Sequence, residues 1–150
     1  IMSFLSAFNT SVSGMTAQRQ RVNTISENIA NAETTRTPQG GPYRRREVIL
    51  ASVANDRTFE EELLSQDRSV STSTEVKVVG IVQDERPPIL RFEPGHPDAN
   101  EEGYVEMPNV NIMEEMVNLM SANRSYEANT AAFNATKNMV QSALDLGRNA

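Results

Sequence analysis

His96 is the only histidine in the chain, and Glu93, Asp98, Glu101 and Glu102 lie beside it. A histidine among carboxylates could in principle serve as a general base or a metal ligand. Either role needs partners that converge in space, and one histidine in a Pro-Gly-His-Pro turn supplies none by sequence. Asp98, Asn100, Glu102 and Gly103 imitate the first half of a calcium loop. The twelfth position is Asn109, where calcium requires a bidentate Glu, so the pattern fails. Arg44-Arg45-Arg46 could bind an anion, but in an acidic chain such a run reads as solvated arginines or as pairs with acidic neighbours. The serines lack a second histidine and a nucleophile elbow, and no Gly-rich phosphate loop is present. There is no cysteine, hence no disulfide, thiolate nucleophile or Cys-ligated metal. The expectation is a protein without catalytic residues, metal or cofactor.

Composition points the same way. The formal net charge of −6 argues against a nucleic-acid partner. Most of that charge lies in residues 34–108, where nine Lys/Arg face fourteen Asp/Glu. Apolar residues are 38% and aromatics 5%, with no Trp, which is little for filling a large core within 150 residues. Part of the apolar surface is therefore expected to be buried between chains. No run reaches the roughly 18 apolar residues of a membrane span. The first basic residue is Arg19, and no cleavable secretory signal is legible. A protein of this kind would leave the cytoplasm, if at all, without a cleaved signal peptide. Ile1, before Met2, is assigned no structural role.

The elements that position these residues are two long amphipathic segments flanking a middle of different character. Phe8, Met15, Val22 and Ile29 recur every seven residues, and so do Ile112, Leu119, Tyr126, Phe133 and Val140. A strict period of seven keeps one apolar seam against a partner helix and favours supercoiled packing. The spacing predicts a helix over 4–33 with Ser3 as N-cap, and a second from Asn111 to about Leu146, stopped by Gly147. Asn111 and Glu114 read as a capping box after Pro108. Ala128, Ala132, Ala135, Met139 and Ala143 form a second stripe on the later helix, implying more than one helical neighbour. Residues 9–14 are weak helix formers, so the first helix should be marginal until it is packed.

Two prolines and a glycine pair break the chain at 34–42. Strands are expected at 43–51, around Val76–Val82, at Ile89–Phe92 and near Tyr104–Met107. Residues 53–74 read as a polar loop with one helical turn near Glu60–Leu64, lying outside the helical layer. The fold class is thus mainly α with a small β part: long N- and C-terminal helices paired as a coiled coil around a short antiparallel β-rich middle. The division expected is 1–33 plus 109–150 as a terminal helical domain, and 34–108 as linker and β-rich region. Subunit packing is assigned to Phe8, Val12, Met15, Val22, Ile25, Ile29, Ile112, Met116, Leu119, Tyr126, Phe133 and Val140.

The stretch Asn28-Ile-Ala-Asn-Ala-Glu-Thr-Thr-Arg-Thr-Pro-Gln-Gly-Gly-Pro-Tyr-Arg-Arg45 resembles the N-terminal signature of bacterial flagellar rod and hook proteins. Gly95-His-Pro-Asp-Ala-Asn100, Gly103-Tyr-Val105 and Pro108-Asn-Val-Asn-Ile-Met-Glu-Glu-Met116 resemble the same family, in particular its proximal-rod members, as does Ser125-Tyr-Glu-Ala-Asn129. The resemblance implies a non-enzymatic subunit of the basal-body proximal rod, exported by the flagellar type III apparatus to the periplasmic space. It implies a helical tube, with terminal helices inside and the β part outside, carrying torque from the membrane ring. Its partners would be copies of itself, other rod proteins, the export apparatus and the ring. The alternative, from another class, is a soluble secreted helical adaptor or effector that binds a partner helix.

Overall fold

A computed structural model describes residues 2–54 and 74–148. The order is helix α1 (Met2–Ala30), strands β1 (Arg46–Ala54), β2 (Thr74–Gln83), β3 (Ile89–Phe92) and β4 (Tyr104–Met107), then helix α2 (Ile112–Arg148). The expected loop at 53–74, with its helical turn near Glu60–Leu64, lies almost wholly outside the described residues. At about 1.5 Å per residue, the 29 residues of α1 span about 43 Å and the 37 of α2 about 55 Å.

The two helices run antiparallel along each other. Asn28 meets Glu115, Gly14 meets Asn129, and Phe8 meets Phe133, so numbers fall along one helix as they rise along the other. Beside this pair, β1 and β2 form an antiparallel hairpin that packs on α1. Thr10 Oγ1 donates to the Thr74 carbonyl at 3.0 Å, and Val76 N–H donates to Ser13 Oγ at 3.1 Å. The register shifts between Ile49 and Leu50, where Val79 is the extra residue on β2. Strands β3 and β4 form a separate two-stranded ribbon, joined to the rest through loops.

Several boundaries differ from the sequence expectation. Helix α1 begins at Met2, so Ser3 sits inside the first turn rather than capping it. It ends at Ala30, three residues early. The Asn31 amide N–H and side-chain Nδ2 both donate to the Glu27 carbonyl, and Ala32 N–H turns inward to Ile29, closing the helix with a tighter turn. Strand β1 starts at Arg46 instead of Tyr43, because Tyr43 N–H bonds the Thr34 carbonyl across the preceding loop. That loop folds back at Gly40 and Gly41, whose φ of 90° and 72° suit only glycine without strain. Asn111 does cap α2, its Oδ1 accepting from Met113 and Glu114 N–H at 3.1 and 3.5 Å. Gly147 does not stop α2, which continues through it with a helical φ.

Packing is uneven along the helix pair. Ile25 and Ala122 are buried, whereas every described residue from Gln141 to Arg148 is exposed. In dilute monomer, hydrogen exchange should therefore be slowest around 24–28 and 115–122 and fastest over 141–148. Protection over 141–148 equal to that around Ala122 would contradict this gradient.

Candidate assembly interface

The buried line between the helices is made mostly of small and polar residues. On α1 it comprises Ser11, Gly14, Ala17, Thr24, Ile25 and Asn28, all buried. On α2 the buried residues are Glu115, Ala122 and Thr136, and half-buried Asn129 continues the same spacing of seven. On α2 this seam lies three residues beyond the apolar heptad read from the sequence, and on α1 its contact points Gly14 and Asn28 lie one residue before Met15 and Ile29. Gly14 shows why: a Cβ there would come within 3.0 Å of Asn129 Nδ2, so the helices approach closely only where side chains are small.

The residues assigned to subunit packing fall into two groups. Ile25 is buried in the seam, and Phe8, Met15, Val22, Ile29, Leu119, Phe133 and Val140 flank it half-buried. Phe8 and Phe133 pack edge to face with centroids 4.9 Å apart. Thr130 Oγ1 donates to Met15 Sδ at 3.3 Å. Val12, Ile112, Met116 and Tyr126 are exposed. The second stripe, Ala128, Ala132, Ala135, Met139 and Ala143, is exposed throughout.

Sequence reasoning missed the cluster at one end of the seam. Asn28 is fully buried, and its amide makes four hydrogen bonds. Nδ2 donates to the Arg46 carbonyl at 2.8 Å and to Glu115 Oε2 at 2.9 Å. Oδ1 accepts from Arg46 N–H and from Tyr43 Oη–H, each at 2.9 Å. Both amide hydrogens and both oxygen lone pairs are thus used. Glu115, also fully buried, turns Oε1 to Arg45, which donates from Nε at 2.9 Å and pairs through Nη2 at 2.9 Å. Both guanidinium nitrogens thus converge on Oε1, while Oε2 is held by the Asn28 amide. The only sequence signals were a buried-helix Asn in the resembling stretch and paired glutamates at a helix start.

Electrostatics follow this burial. Burial of Arg45 works against its charge, but the hydrogen bond and negative charge of Glu115 outweigh it and hold the guanidinium above its ordinary value. Burial raises the Tyr43 phenol above 10.0, only partly offset by Arg46, whose guanidinium carbon sits 5.9 Å from the ring centroid. The three arginines therefore form no common anion patch: Arg45 serves Glu115, Arg46 reaches Glu27 at 3.5 Å, and Arg44 is exposed. His96 Nδ1 accepts from Asp98 N–H at 3.1 Å within its own turn. Asp98 in turn accepts from Thr35 Oγ1 at 2.9 Å, tying the β3–β4 loop to the segment before β1. Among the described residues, no three His, Asp or Glu side chains converge as a metal site needs.

Asn28→Asp keeps the shape but replaces two donated hydrogens by a carboxylate facing Glu115. Breaking such a buried charge arrangement should cost roughly 3–5 kcal/mol at neutral pH. Urea unfolding of the variant and wild type at neutral pH checks it, and a deficit below about 1 kcal/mol would contradict the geometry. Tyr43→Phe should cost about 0.5–1.5 kcal/mol by orphaning one bond to Asn28. Because the Tyr43 value is raised, its contribution is whole below pH 10.0 and is lost as the pH climbs through the folded-state value. Ultraviolet titration of wild type against Tyr43→Phe should accordingly show that the ionisation lost in the variant lies above pH 10.0.

Comparison with known proteins places this geometry. Residues 8–36 match the flagella basal body rod protein family, and residues 101–146 match the family described as flagellar basal body rod FlgEFG protein C-terminal. Asn28 falls in the first match and Glu115 in the second. The flagellar basal-body rod protein FlgC of Borreliella burgdorferi is 43% identical over 147 residues, covering 95% of this chain and 97% of that protein. FlgC of Bacillus subtilis is 44% identical over 152 residues, covering 98% and 100%. FlgC of Salmonella typhimurium is 37% identical over 148 residues, again covering 98% and 100%. The chain belongs to the FlgC family of flagellar basal-body rod proteins.

Proposed function

We propose that this chain is a structural subunit of the flagellar proximal rod, working by packing and torsional stiffness and without catalysis. The observation that carries the reading is where its apolar surface lies. Twenty large apolar side chains are exposed among the described residues, whereas the buried apolar set is Ala17, Ile25, Ala32, Tyr43, Val105 and Ala122. Three of those six are alanines. Such a core is too thin to account for the apolar content of the chain, and Met113, Met116, Val117 and Met120 share one exposed face of α2, as an interface requires. The family membership says which kind of assembly would cover it.

In this reading the terminal helices, residues 1–33 with 109–150, form the inner layer of a helical tube, and residues 34–108 supply its outer β-rich part. Phe8, Met15, Val22, Ile29, Leu119, Phe133 and Val140 close each subunit's own helix pair and brace its flanks. Val12, Ile112, Met116 and Tyr126 meet neighbours, which are further copies and other rod proteins. The subunit would reach the periplasmic space through the flagellar export apparatus without a cleaved signal, and the tube would carry torque outward from the membrane ring. No helix among the described residues is long and apolar enough to cross a membrane, which fits a rod part but does not by itself assign a compartment.

The test must separate packing within a chain from packing between chains. Leu119→Asp or Phe133→Asp would damage both, because those side chains are half-buried against α1. Val117 and Met120 instead point outward, 62% and 56% exposed. Val117→Asp and Met120→Asp should leave the helical content of the purified subunit unchanged. Burying either charge in an interface would cost several kcal/mol, so rod assembly and swarming should be lost. Normal swarming with both substitutions would overturn the assignment of this face to assembly.

A further inference from the structure

The outward face of the first turns of α2 carries three methionines. Met113, Met116 and Met120 are 71%, 50% and 56% exposed, and with Val117 they follow helical spacing on the side away from Glu115 and Ala122. Leucine would supply the same apolar surface with equal helix propensity. What methionine adds is a thioether that oxidants attack when it is accessible. Met15 is half-buried, its sulfur engaged by Thr130 at 3.3 Å, and Met107 is half-buried in β4, while Met139, 55% exposed, lies further along α2 and outside this cluster.

We infer that Met113, Met116 and Met120 form an oxidative modification site of the unassembled subunit, with a hydroperoxide as the co-reactant. The thioether sulfur attacks one peroxide oxygen, an S–O bond forms and the O–O bond breaks. Sulfur gives up two electrons, and the second oxygen departs as water or an alcohol after taking a proton. The product sulfoxides put strong acceptors on a face that must otherwise be dry when packed, so oxidised subunits are excluded from the rod until a sulfoxide reductase restores them. Assembly itself then shields the sulfurs. The chemistry stands on exposure alone, while its consequence for assembly rests on the rod reading above.

The purified subunit, treated with dilute hydrogen peroxide and followed by residue-resolved mass spectrometry, tests the first half. Met113, Met116 and Met120 should oxidise at least roughly threefold faster than Met15 and Met107. Equal rates would overturn the inference. The second half compares cells rebuilding flagella under sublethal peroxide with wild-type subunit or the M113L/M116L/M120L variant. Rod number should drop severalfold for wild type and hold for the variant, and equal losses would overturn the inference while leaving the rod reading intact. Failure of the wild-type gene to restore rods to an unstressed deletion strain would instead overturn that reading. Should the triple variant not assemble unstressed, Met116→Leu and Met120→Leu singly give the same comparison, with partial protection expected and none contradicting the inference.

Discussion

Everything else in this subunit is arranged around one saturated amide. Asn28 joins the end of α1 to the first residue of β1, to the loop residue Tyr43, and through Glu115 to the start of α2. Three segments of the chain, the end of α1, residues 43–46 and the start of α2, thus share one side chain that has no hydrogen-bonding capacity left over. A slide of α2 by one turn, about 5.4 Å, would strand the buried carboxylate and the amide together. An apolar seam alone would resist such a slide far less, because large hydrophobic surfaces are tolerant of shifted contacts. The Arg45–Glu115 pair is accordingly better understood as a device for register than as a source of net stability, since burying two charges costs much of what their attraction returns.

That arrangement explains an apparent inversion in the packing. The helix pair places its small and polar residues at the point of closest approach, and leaves much of its bulky apolar surface at the flanks or facing out. A subunit that must end inside a larger assembly benefits from this division. The polar seam fixes how the two helices of one chain meet, and the apolar faces remain for neighbours. The thin core and the exposed last turns of α2 are the cost, and packing into the rod would cover both.

Much of this was legible in the sequence, for identifiable reasons. The heptads located both helices because a period of seven survives whatever the partner is. Ile89–Phe92 and Tyr104–Met107 were placed correctly because prolines and glycines bound them tightly. The end of α1 was misjudged, since Asn31 closes it with its own side chain where composition still favoured helix. Strand β1 was started too early because the bond from Tyr43 to Thr34 depends on a tertiary loop closure. The seam is displaced from the heptads, by three residues on α2 and by one on α1: periodicity tracks large apolar side chains, while the closest contact selects for small ones such as Gly14 and Ala122. Asn28 and Glu115 could not have been found by pattern, since each gains meaning only when the other is 2.9 Å away.

A side-chain-resolution density map of the assembled rod tests the central claim most directly. The account predicts that Glu115 lies on Asn28 of the same chain, with Arg45 on its other oxygen, and that the face carrying Met113, Val117 and Met120 is covered by neighbouring subunits. A rod in which α2 pairs with α1 of a different copy, or in which that face is open to solvent, would contradict it.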